Sequence, residues 1–106
     1  MTLPLSPHYA TIGLEMDLRE RIASYLIDEH GAENVLFFQP PELDEALIGI
    51  ALRIGLSVPA YDYDKLIEVH MKVNDSSYEE ATEWVTIHTM GSYVGPETPV
   101  VVWKPR

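Results

Sequence analysis

The chain has 106 residues, with 7 Lys and Arg against 17 Asp and Glu, a formal net charge of −10, no cysteine and 46% apolar content. That length suits one domain with a modest core, and the apolar fraction is too high for a disordered acidic tail. Without cysteine there is no disulfide scaffold, thiol nucleophile or Cys-type zinc site. The charge disfavours direct binding to nucleic acid or an anionic membrane, whose phosphates attract Lys and Arg.

Residues 1–14 contain Pro4 and Pro7 and little periodicity. They read as an extended arm ahead of a single domain over residues 15–106. The opening stretch has no basic residue and no sustained apolar run, so it does not read as a secretory signal. The longest apolar run, 46–52, falls far short of the roughly 20 residues a membrane span needs. A cytoplasmic location is therefore expected.

A first helix is expected over Leu18–His30. Asp17 suits its N-cap, Glu20 completes an acidic capping box, and Gly31 suits the left-handed residue past its end. Leu18, Ile22, Tyr25 and Leu26 recur at helical spacing. Asn34-Val35-Leu36-Phe37-Phe38 is short, apolar and β-prone, and Pro40-Pro41 stops it, which predicts a buried strand. Residues 43–53 admit two readings. Acids at Glu42, Asp44 and Glu45 favour a helix start, whereas Gly49 in mid-run argues against a helix. The alternative, a hairpin of strands 46–52 and 57–61 with Gly55 at the turn, is the expectation.

A second helix should start at Asp62 or Asp64, carry Leu66, Ile67, His70 and Met71 inward, and end near Val73. Ser77-Tyr78-Glu79-Glu80 is a capping box for a third helix. Its inward stripe would be Ala81, Trp84, Val85 and His88, ended by Gly91. Val100-Val101-Val102-Trp103 predicts a last strand. The class is α+β: three helices on a short, mainly antiparallel sheet of about four strands.

The negative charge is uneven. Residues 15–45 hold nine acids and two Arg, and residues 62–83 hold seven acids and two Lys. Many of these acids sit in helix first turns, where the dipole favours them. The remainder could form a face that docks on a basic groove, where complementary potential raises on-rates and selects partners. Asp62, Asp64, Glu68, Glu79, Glu80 and Glu83 are the candidate acids. Tyr61, Tyr63, Tyr93, Trp84 and Trp103 are aromatic candidates for an interface; Tyr63 and Tyr93 are expected to be the exposed ones and Trp84 to be core. No catalytic residue, metal site or cofactor is expected: there is no HExxH, P-loop, G-x-G-x-x-G or G-x-S-x-G. Of the four histidines, His8, His30, His70 and His88, the last two lie on inward stripes of successive helices. A small His-dependent metal protein or enzyme is the lesser alternative, and pairing through a free strand edge into a structural homodimer is another.

Several pieces carry a resemblance. They are Asp44-Glu45-Ala46-Leu47-Ile48-Gly49, then Tyr61-Asp62-Tyr63-Asp64-Lys65-Leu66-Ile67-Glu68, then Ser77-Tyr78-Glu79-Glu80-Ala81 with Glu83 and Trp84, and last Gly91-Ser92-Tyr93-Val94-Gly95 with Thr98-Pro99. In this order they resemble a family of small, mostly uncharacterised bacteriophage and prophage proteins. The resemblance implies the hairpin, although this chain inserts apolar residues 52–56 at its turn. It also implies a phage setting, in which small acidic proteins bind and block host defence machinery as anti-CRISPR inhibitors do. The expected partner is then a host protein with a basic groove in the host cytoplasm.

Overall fold

The computed structural model describes residues 17–105; the predicted arm over 1–14, with His8, lies outside them. Helix α1 spans Leu18–His30. The Asp17 carboxylate accepts the Glu20 N–H at 2.8 Å. Gly31 takes φ 67 and lets the Ala32 N–H reach Leu26 O at 3.0 Å. These local contacts satisfy backbone groups that a helix end leaves free, and α1 buries Ile22 and Leu26.

A 3₁₀ turn, Pro41–Ala46, leads into strand β1, Leu47–Ala51. Strand β2, Val58–Asp62, runs antiparallel to it, so the hairpin forms as expected with a shorter first arm, 47–51, while residues 43–46 belong to the 3₁₀ turn. Ile48 bulges out of the ladder between Leu47 and Gly49, and Gly49 accepts φ 151 there, which a side chain would resist. The loop closes on Gly55 at φ 94. Arg53 ties it down by donating from Nε to Leu56 O and from Nη2 to Pro96 O.

Helix α2, Tyr63–Asn74, follows β2 without a loop, and helix α3, Tyr78–Trp84, continues into a wider π-type turn, Val85–Thr89. Strand β3, Val100–Val102, then pairs parallel to β2, giving the order β1-β2-β3. The α+β class is as expected. Among the described residues the sheet has three strands and is mixed, where about four, mainly antiparallel, were expected. Pro59 sits in the central strand at a place where only β1 flanks it, because β3 begins opposite Ala60.

The missing strand is residues 34–38. They do not join the sheet, and the segment is anchored by side chains instead. The Phe38 N–H donates to the Tyr61 hydroxyl at 3.0 Å, and the two rings approach to 4.6 Å. Arg19 lies over the Phe37 ring at 4.4 Å and pairs with Asp44 at 3.2 Å, joining α1 to the 3₁₀ turn. The expected buried strand fails on pairing, since a ladder needs a neighbour that composition does not reveal, and on burial only in part: Phe38 is buried, residues 35–37 are half-buried and Asn34 is exposed. Tyr61, expected among the surface aromatics, is fully buried, and the core forms around it from Leu26, Leu43, Leu47, Leu66, Ile67 and Val85.

Tyr61→Phe keeps the ring and removes the acceptor, leaving a buried N–H unpaired. Its stability to urea should fall by about 1–3 kcal/mol. Burial also raises the Tyr61 pKa from 10.0 to about 12, with the Phe38 N–H opposing it. The unfolded chain ionises first, so this stability is intact below pH 10 and is lost as pH rises toward 12. Urea midpoints followed into that range should decline less for Tyr61→Phe; parallel declines contradict the assignment.

Candidate functional site

The predicted acids divide between the two ends of a helix pair. His70 of α2 faces Trp84 of α3, while Tyr63, at the start of α2, shares a groove with Thr86 and Met90 further along the chain. The helices therefore run in opposite directions, and Asp62 and Asp64 lie at the end away from Glu79 and Glu80.

On α2 the charges are largely spent. The Asp62 carboxylate accepts the Lys65 N–H at 2.9 Å as the N-cap and pairs with Lys104 at 3.5 Å. Glu68 pairs with Lys65 at 3.1 Å, and Lys72 pairs with Glu45 at 3.1 Å. Asp64 is half-buried and is itself engaged within the protein. Tyr63 is half-buried in a groove of about 340 Å³ that it lines with Thr86, Met90, Val101 and Trp103. Tyr93, on the loop after α3, is 71% exposed as expected.

On α3 the situation is different. Glu80 completes the capping box: its carboxylate accepts the Ser77 N–H while its own N–H donates to the Ser77 hydroxyl, each at 3.1 Å. The backbone N–H and then the hydroxyl of Ser77 hold the Glu80 carboxyl below its ordinary range. Glu79 and Glu83, one helical turn apart, are exposed and make no ion pair or hydrogen bond among the described residues. Glu80 and Glu83 line a shallow pocket of about 230 Å³ with Trp84, Ile87 and His88.

Two expectations fail here. Trp84 was expected in the core and is 47% exposed; His88 was expected inward and is exposed. The helix buries Ala81 and Val85, and the next turn is wide, with the Met90 N–H bonding to Val85 O at 2.8 Å. Ala81, Val85 and Thr89, each four residues on, form the buried stripe; Trp84 lies at its flank, and the wide turn rotates His88 away from it. The β-branched run Val85-Thr86-Ile87 is the local sign of it, because such residues crowd an α-helical turn.

Nor do His70 and His88 meet. The Trp84 indole contacts each, stacked on His70 at 5.1 Å and 18° and tilted against His88 at 4.1 Å and 37°. His70 is buried, with its Nδ1 3.0 Å from the Asn74 amide nitrogen. Among the described residues no three His, Asp or Glu side chains converge as metal ligands. His88 also reaches a second cleft of about 250 Å³, walled by residues 36–39 and lined by Thr89, Ser92 and Thr98. The hydroxyls of Ser92 and Thr98 already donate to Thr89 O and Gly95 O.

Sequence reasoning missed Ile87 and Met90, both about half exposed and both following Trp84 along the same segment. No helix among the described residues is long and apolar enough to cross a membrane. No protein-family model, curated protein or solved structure matches the chain.

Burial, with the neighbouring His88 as the smaller cause, pushes the His70 pKa below its ordinary value. The folded state thus favours neutral His70, and the unfolded chain takes up a proton first on acidification. Stability is intact above about pH 6.5 and falls as pH drops below it. Urea midpoints at about pH 7.5 and 5.5 should differ in the native protein and differ less in His70→Gln. An equal difference in both proteins removes His70 as the cause.

Proposed function

We propose that the protein is a binding module that docks on a basic surface of a partner protein through the outer side of α3. Glu79, Glu80 and Glu83 supply the charge, and Trp84 and Ile87 the apolar contact. The observation that carries this reading is a pair of carboxylates without a partner among the described residues, Glu79 and Glu83, beside a half-exposed Trp84. Aromatic residues anchor interfaces, and acids around them set the on-rate and the choice of partner. The net charge of −10 steers a cationic surface toward this face. In the phage setting that the sequence resembles, the occupied surface is the basic groove of a host defence or nucleic-acid-handling protein, and docking inhibits it. Asp62, Asp64 and Glu68 contribute to the general field rather than to contact.

A second reading, a homodimer, rests on a different surface. β3 is the last strand of the sheet among the described residues, and Trp103 and Met90 stand exposed beside it. Light scattering at low concentration separates the readings, since a strict monomer leaves only the first.

An arginine-rich peptide is the direct probe. Its affinity should fall steeply from low to high salt, because the attraction is between exposed charges. Glu79→Lys with Glu83→Lys should weaken binding by at least about tenfold, and Trp84→Ala should raise the off-rate. Unchanged peptide affinity in the double charge reversal overturns this face.

A further inference from the structure

The acidity of the chain is interrupted at the loop that joins β1 to β2. Arg19, Lys65, Lys72 and Lys104 each pair with a carboxylate. Arg53 meets no carboxylate among the described residues. Its guanidinium is fixed by neutral oxygens instead, with Nε donating to Leu56 O at 3.0 Å and Nη2 to Pro96 O at 3.1 Å. A guanidinium carries five N–H donors in a rigid fork, and those on Nη1 have no acceptor among the described residues. A positive charge is thus held in place by two carbonyls and left without a counter-ion.

Ser57 is the second, independent observation. It is 5% exposed. Its hydroxyl oxygen accepts the Arg53 N–H at 3.3 Å, and its own hydrogen has no acceptor among the described residues. A hydroxyl both accepts and donates, and a buried donor left unused is costly. Arg53 and Ser57 line one cleft of about 110 Å³ with His30, Ala32, Gly55 and Leu56. Gly55 opens its wall: φ is 94, and the place a side chain would take is empty, so a ligand can come close to the backbone there. The volume is that of roughly four waters, enough for one tetrahedral oxoanion. We propose that this cleft is a phosphate-binding site, in which Arg53 supplies the charge and the Ser57 hydroxyl a buried donor. The planar fork of arginine matches the oxygens of a phosphate. The site shares no residue with the α3 surface and does not depend on the docking reading. Two influences oppose the anion. His30 belongs to the last turn of α1, where the carbonyl end of the helix disfavours negative charge, and the net charge of −10 repels an anion at long range. Binding is therefore weak and local.

The test follows the backbone and arginine side-chain N–H signals of the isotopically labelled full chain by NMR, while inorganic phosphate is added at one pH and constant ionic strength. Signals of residues 53–57 should move and saturate, with half-saturation on the order of 1–10 mM. Sodium chloride at the same ionic strength should leave them in place. Arg53→Gln and Ser57→Ala should each weaken the affinity by at least about tenfold, since each removes a bond to a charged group. Methyl phosphate is the second arm: equal saturation supports a phosphomonoester as the ligand, and saturation by inorganic phosphate alone supports the free ion. Chloride reproducing the shifts, a response at residues 53–57 that never saturates, or unchanged affinity in both variants overturns the site. The unsubstituted protein alone decides the first two outcomes, so a variant that loses the shape of the loop does not shield the proposal.

Discussion

The bond from the Phe38 N–H to the Tyr61 hydroxyl, with the ring contact beside it, ties the segment outside the sheet to the middle strand. Tyr61 lies at the centre of the middle strand, opposite Leu47 on one side and Val101 on the other. Its hydroxyl points to a segment that left the sheet, and gives that segment a polar anchor inside an apolar core. A buried N–H with no acceptor is costly, so residues 34–38 are held by this bond and by the ring contacts of Phe37 and Phe38 where a strand would have a ladder. The same strand ends at Asp62, which caps α2 at once. The register of Tyr61 therefore fixes where α2 starts, and α2 fixes the position of His70 under Trp84.

The charge divides along similar lines. The bare excess of acid over base overstates the free negative surface, because α2 carries its own lysines and borrows Lys104 for its cap. Lys72 likewise takes up Glu45. Such exposed pairs stabilise little, but they cancel field locally. α3 has no lysine or arginine within its span, so its acids keep theirs. Glu80 is partly used in the capping box and still borders the pocket. The asymmetry between two helices of similar acidity comes from where the few cations were placed.

What was legible in the sequence was local. Asp17, Asp62 and Ser77 cap the helices that their spacing predicts, and Gly31 and Gly55 take the backbone angles for which they were singled out. The hairpin was legible because Gly49 is a poor helix residue and a good bulge residue. The fate of residues 34–38 was not legible, because pairing depends on an absent neighbour and not on propensity. Trp84 and His88 were misplaced for a subtler reason. The 3.6-residue period puts both near the inward stripe, but the helix turns Ala81, Val85 and Thr89 inward, so Trp84 lies at the flank of that stripe and the wide turn after it carries His88 outward. Of the candidate site, the acids were readable as residues. Their separation into a neutralised end and a free end was not, because it depends on long-range partners such as Lys104.

The wide turn therefore links fold to function. It costs the helix regular packing, since a turn with one extra residue has poorer geometry than an α-helical turn. In return Thr89 fills the inward position and His88 moves to the surface. One imidazole is sheltered and one exposed, with an aromatic ring in contact with both. That asymmetry, rather than the number of acids, distinguishes the α3 surface from an ordinary solvated helix.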